Sequence, residues 1–203
     1  MTVDCITTGS LCTNTYLIVD GTDAIVIDPG DDYERIVARL AKSRAKAKYV
    51  LITHAHFDHI GAVARFAANG AKVYISQTDY EMLKKSDFYI DLGFFGESVQ
   101  EFYADVMVSD GDKFTICNHD FTVIATPGHT AGGVCFVAEK CIFTGDTLFR
   151  LSVGRTDFPH SSHADLLQSV KKLFALKGDY TVLPGHGESS TLDFERNNNP
   201  YVH

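Results

Sequence analysis

Seven consecutive residues, Thr53-His54-Ala55-His56-Phe57-Asp58-His59, constrain this chain more than any other stretch. An apolar run, Tyr49–Ile52, reads as a short strand just before them, and Ile60–Ala68 reads as a helix just after. Three histidines and an aspartate crowded this closely repel one another when the imidazoles are protonated. A cation that shares their lone pairs removes the conflict. His54 and His56, two apart in extended chain, can point to the same side. Asp58 and His59 begin the helix and can aim at a neighbouring point. The segment can therefore supply two adjacent metals rather than one. Imidazole and carboxylate ligands together favour zinc, iron or manganese over calcium.

Three further segments share one pattern: Pro127-Gly128-His129-Thr130, Thr144-Gly145-Asp146-Thr147 and Leu183-Pro184-Gly185-His186-Gly187. Each places one histidine or aspartate just after an apolar run, beside a glycine that lets the backbone turn. Taken singly, His129 or His186 reads as a satisfied polar group at a strand end, and Gly145-Asp146 as a turn. The density at 53–59 makes them candidates. His119, at a hairpin turn, and His203 read as solvated. So do His160 and His163, in a polar loop, although both can border a cleft.

Strands are expected at Asp4–Thr8, Asn14–Asp20, Ala24–Asp28, Tyr49–Ile52, Lys72–Ser76, Lys113–Cys117, Phe121–Ala125, Val134–Val137, Cys141–Thr144 and Tyr180–Leu183. Helices are expected at Tyr33–Ala41, Ile60–Ala68, Gln77–Lys85 and Ala164–Ala175. Strands followed by helices, twice over, predict an α/β fold of four layers, an αββα sandwich, over a single domain of residues 1–203. An aromatic loop at Ser86–Gln100 carries Tyr89, Phe94 and Phe95, either as a lid or packed on the core.

Composition narrows the partners. A net charge of -8 disfavours nucleic acid. No apolar run approaches the roughly 20 residues that span a bilayer, and no signal peptide is visible. Five scattered cysteines without a CxxC pair read as reduced thiols in a cytoplasmic protein.

The motifs THAHFDH (53–59), TPGHT (126–130), FTGDTLF (143–149), VGRTDFP (153–159) and LPGHG (183–187) resemble the metallo-β-lactamase superfamily over nearly the whole chain. They are most similar to a short glyoxalase II-like branch of hydroxyacylglutathione hydrolases, as is the closing segment STLDFERNNNP (190–200). The resemblance implies that His54, His56 and His129 hold one metal, that Asp58, His59 and His186 hold a second, and that Asp146 bridges them. It also supports the αββα fold. Asp146 stands where the common zinc β-lactamases carry cysteine, which argues against that activity. The larger glyoxalase II enzymes have a C-terminal helical domain, which the short segment after His186 is not expected to contain. They carry tyrosine at the position of Glu188, lysine near Arg155 and tyrosine at Asp157, so glutathione would be recognised differently.

The implied chemistry is hydrolysis of a small-molecule thioester, S-lactoylglutathione or a relative. Two divalent ions, zinc first with iron or manganese as alternatives, would lie about 3.5–4 Å apart and share a water whose pKa falls toward roughly 7. The metal-bound hydroxide would attack the thioester carbonyl, with Asp58 a candidate to orient it. Arg155 is a candidate substrate contact, or else a structural partner of Asp157 or Asp146. Other readings stay open: a lactone or phosphodiester on the same metal pair, persulfide oxidation at a single iron, or a metal-binding fold without activity. Persulfide dioxygenases share the GRTDF stretch but usually show alanine before the last histidine, where this chain has Gly185.

Overall fold

A computed structural model describes residues 1–84 and 100–202. Tyr89, Phe94 and Phe95 lie outside the described residues, as does His203. Among the described residues, two six-stranded sheets dominate. The first runs in chain order: β1 (Val3–Thr8), β2 (Thr13–Asp20), β3 (Asp23–Ile27), β4 (Lys46–Leu51), β5 (Lys72–Ser76) and β6 (Val106–Val108). β1 to β3 are antiparallel, and β3 to β6 are parallel. Parallel neighbours need crossovers. Helices α1 (Tyr33–Ala41), α2 (Phe57–Ile60), α3 (Val63–Ala68) and α4 (Gln77–Leu83) lie on these connections.

The second sheet has the order β14 (Ser190–Thr191), β13 (Thr181–Pro184), β10 (Cys141–Gly145), β9 (Val134–Ala138), β8 (His119–Ala125) and β7 (Lys113–Ile116). A two-stranded ribbon, β11 (Leu148–Phe149) with β12 (Ser152–Val153), follows β10. Helices α5 (His163–Phe174) and α6 (Leu192–Asn198) complete the described chain.

Side-chain alternation along each strand explains the layering. Tyr16, Ile18, Ile25, Ile27 and Leu51 of the first sheet pack against Phe121, Val123, Phe136 and Phe143 of the second, forming the central layer. The intervening residues Leu17, Ala24, Val26 and Val50 face outward onto Ile36 and Leu40 of α1 and Val63 and Phe66 of α3. On the far side, Ile124, Cys135, Ile142 and Val182 pack against Val170 and Leu173 of α5 and Leu192 of α6. Three apolar layers between two helical and two sheet layers make the expected αββα sandwich. Phe143 is fully buried in the middle of it. Phe143→Ala is expected to cost about 3–5 kcal/mol in a denaturant melt.

Several boundaries differ from the sequence reading. The helix expected from Ile60 begins at Phe57 and breaks after Ile60, because Ala62 N turns to donate to Pro29 O (3.0 Å). Asp28 leaves β3 with φ of 49°, which turns its carboxylate toward the strand ends. Cys117 and Asn118 both have positive φ and form the β7–β8 turn, so His119 begins β8 and meets Glu139 (3.0 Å). Strands β6, β11 and β12 and helix α6 are too short for periodicity to expose. No described helix is long and apolar enough to cross a membrane, and the five cysteines are free thiols.

Candidate metal centre

β4, β8, β10 and β13 each end on one rim of the sandwich, and each is followed by a candidate ligand. β10 and β13 run parallel, while β8 and β10 both run antiparallel to β9, so their C-terminal ends coincide. β4 contributes from the other sheet. His54 and His56 lie in the loop after β4, with Asp58 and His59 in α2; His129 follows β8, Asp146 follows β10, and His186 follows β13.

The structure brings all seven together. The rings of His54, His56 and His129 have centroids 4.5–4.9 Å apart. His59 Nε2 lies 3.4 Å from Asp58 Oδ2, 3.4 Å from Asp146 Oδ1 and 3.3 Å from His186 Nε2. Asp146 Oδ2 lies 3.4 Å from His129 Nε2 and 3.6 Å from His186 Nε2. Among the described residues three groups offer three ligand atoms each: His54, His56 and His129; Asp58, His59 and His186; and Asp28, His54 and His59, which shares one histidine with each of the other two. Asp146 reaches into the first two.

The outer ring nitrogens set the tautomers. His129 Nδ1 donates to Arg155 O (2.8 Å) and His186 Nδ1 to Leu11 O (3.2 Å), since a carbonyl can only accept. His59 Nδ1 lies 3.0 Å from Asp28 Oδ2. In the neutral rings of His129 and His186, the inward Nε2 then carries a lone pair, as a metal ligand requires.

Electrostatics divide the cluster. Burial, reinforced by neighbouring imidazoles, pushes His54 well below the ordinary histidine pKa and takes His56 down to about 3. Both are thus neutral donors. For His59, burial opposes charge, but Asp58 and Asp146 outweigh it and push the pKa well up. His186 rises through its contacts with Asp58 and Asp146, again against burial. Burial also works against ionisation of Asp58 and Asp146, yet His59 leads the neighbours that hold both below the usual carboxylate range.

Three buried polar atoms in the described residues lack a hydrogen-bond partner: His54 Nε2, His129 Nε2 and Asp146 Oδ1. Each such group costs about 1–3 kcal/mol. All three belong to the cluster, and all three offer lone pairs to a cation. This donor set, five imidazoles and two carboxylates, fits two borderline divalent ions.

Arg155 is exposed and pairs with Asp157 at 2.6 Å through both Nε and Nη2, with its guanidinium 4.3 Å from the Phe158 ring centroid. Phe158 packs on His56 and His129. The Arg155 side chain thus borders the centre without entering it, while its carbonyl holds His129. His160 and His163 stay outside the cluster; His163 Nδ1 lies 3.4 Å from Thr156 Oγ1.

Sequence reasoning missed three supporting residues. Asp28 accepts from Thr53 N (2.8 Å) and Thr53 Oγ1 (2.6 Å) as well as facing His59. Thr13 Oγ1 donates to Asp58 Oδ2 (2.8 Å). Asp79 binds the loops beside His54, His56 and His129. Asp28 carried a usable signal, because it ends an apolar strand before Pro-Gly much as Asp146 follows another. Thr13 and Asp79 carried none.

Residues 11–186, which include all seven clustered side chains, match the Metallo-beta-lactamase superfamily. The chain belongs to the metallo-β-lactamase superfamily. As a superfamily member it is a metallo-hydrolase, of a class that binds divalent metals. It is 35% identical to a probable metallo-hydrolase of Streptococcus pyogenes over 94% of this chain and 85% of the relative. It is 31% identical to the hydroxyacylglutathione hydrolase GloC of Haemophilus influenzae, over 90% and 89% of the two chains. The crystal structure of BLEG-1 B3 metallo-β-lactamase superposes with a TM-score of 0.91 at 32% identity, covering 99% of both chains. That of TTHA1623 in a di-iron-bound form superposes with a TM-score of 0.85 at 34% identity, covering 98% and 99%.

Proposed function

We propose that this superfamily member is a cytoplasmic hydrolase that cleaves a thioester, S-lactoylglutathione or a related hydroxyacylglutathione. The centre would take two divalent ions, zinc foremost, with His54, His56 and His129 on one, Asp58, His59 and His186 on the other, and Asp146 between. The observation that carries the reading is the convergence of two three-ligand groups on one carboxylate. The likeness to a hydroxyacylglutathione hydrolase supports the substrate class.

When bound, the ions would supply Lewis acidity and lower the pKa of a coordinated water toward about 7. The remaining work falls to this chain's own groups. Thr13 Oγ1 occupies one side of Asp58 Oδ2 and so fixes the carboxylate that would orient the attacking water. Phe158 walls the His56 and His129 side and keeps bulk water from it. The departing thiol has a pKa near 8.5, so it leaves as thiolate without a strong general acid. This suits a cluster whose carboxylates are held ionised.

The decisive experiment combines metal analysis with a panel of thioester, lactone, phosphodiester, β-lactam and persulfide substrates. Two metals per chain, with thioester cleavage far above the rest and no oxygen uptake, is the expected result. The β-lactam belongs in the panel because of the BLEG-1 likeness. One iron with oxygen consumption on the persulfide would replace the hydrolase reading.

A further inference from the structure

Asp79 lies in the first turn of α4 and has no exposed surface. Its carboxylate hydrogen-bonds to residues within three positions of His54, His56 or His129. Oδ2 accepts from Ala55 N (2.9 Å), between His54 and His56, and from Thr130 Oγ1 (2.8 Å), next to His129. Oδ1 accepts from Gly132 N (2.7 Å), three residues past His129. The first loop leaves β4 of one sheet, and the second leaves β8 of the other. A single carboxylate thus bolts together the two loops that carry three imidazoles.

The fit leaves no slack. A Cβ at Gly132 would lie 2.5 Å from both the backbone N and Oδ1 of Asp79, so only glycine lets this loop approach α4 so closely. The two backbone partners can only donate, which suits the ionised, acceptor-only carboxylate. Burial pushes the Asp79 pKa up, and the hydrogen bonds from Thr130, Ala55 and Gly132 work against that rise. Without this carboxylate, two buried amide N–H groups would lose their acceptor, and each loop would have to move to find another.

We infer that Asp79 is a positioning residue that sets the spacing of His54, His56 and His129, and thereby controls metal loading of that half of the centre. The inference rests on the metal reading above. The other half is anchored independently, by Asp28 on His59, Thr13 on Asp58 and Leu11 O on His186. Loss of Asp79 should therefore act on one half only. An asparagine at 79 keeps one acceptor oxygen. If that oxygen serves Ala55 and Thr130, the amide NH2 faces Gly132 N–H, donor against donor.

The test is competition for Zn2+ against a chromophoric chelator, with wild type, Asp79→Asn, Thr130→Val and His186→Ala. Thermal melts of the metal-free proteins run alongside. His186→Ala identifies the equivalent that belongs to the Asp58, His59 and His186 half. Asp79→Asn is expected to weaken the other equivalent roughly 10- to 100-fold and to leave this one within about threefold. Thr130→Val, which removes one hydrogen bond, should weaken the same equivalent by roughly 3- to 10-fold. It decides the matter if Asp79→Asn does not fold. Equal weakening of both equivalents, or of neither, overturns the inference. Selective weakening in a protein whose wild type cleaves no thioester sinks the substrate reading and leaves the positioning role standing.

Discussion

Asp146→Ala is expected to lower kcat for thioester cleavage by about a thousandfold or more and to reduce bound metal from two equivalents to one or fewer. Asp146 is the side chain that approaches both groups of ligands: His129 and His186 through Oδ2, and His59 through Oδ1. On the proposed reading, its removal would take a ligand from each half at once. It also strips away a carboxylate that keeps the His59 pKa high, so the buried cluster loses negative charge as well as geometry. No core residue is lost, so the metal-free protein should keep its far-ultraviolet circular dichroism. Elemental analysis and steady-state kinetics on one preparation check the result. Near-wild-type turnover with full metal content would refute the bridging assignment.

A single methyl group should do almost as much. In Gly185→Ala the new Cβ would lie 2.3 Å from Asp146 Oδ1 and 2.6 Å from His59 Cε1. The backbone cannot retreat, because Gly185 N donates to Gly145 O (2.8 Å) and Gly185 O accepts from Asn14 N (2.7 Å). Asp146 and His59 must then move by most of an ångström. The expected outcome is a fall from two metals per chain toward one, with thioester turnover down about a hundredfold. Overpacking should cost about 1–3 kcal/mol of stability. Two metals retained at unchanged kcat would defeat the argument.

The seven clustered side chains were legible together rather than singly, because a dense histidine run makes candidates of residues that alone read as ordinary strand ends and turns. His54, His56, Asp58 and His59 fall within six positions, and His129, Asp146 and His186 each follow a strand beside a glycine. Helix α1 was legible from its apolar spacing, and its bounds, Tyr33–Ala41, match the reading. The supporting groups were hidden. Thr13 meets Asp58 across 45 positions, and Asp79 meets Thr130 across 51. A threonine at a strand start and an aspartate in a capped first turn look ordinary until the fold closes. Arg155 shows the converse, since a charged residue inside a recognisable motif turned out to hold Asp157 with its side chain and His129 with its backbone.

Local pattern determined the longer strands and helices, the layer order they can form and the residue types of the candidate ligands. Those features depend on alternation, spacing and residue type, which neighbouring residues express. The tertiary structure decided which four strand ends share a rim, which carboxylates face the imidazoles, and which ring nitrogen of His129 and His186 turns inward. These depend on contacts between segments up to 175 positions apart, as between Leu11 and His186. No short-range preference encodes such pairings, because burial between two sheets creates them.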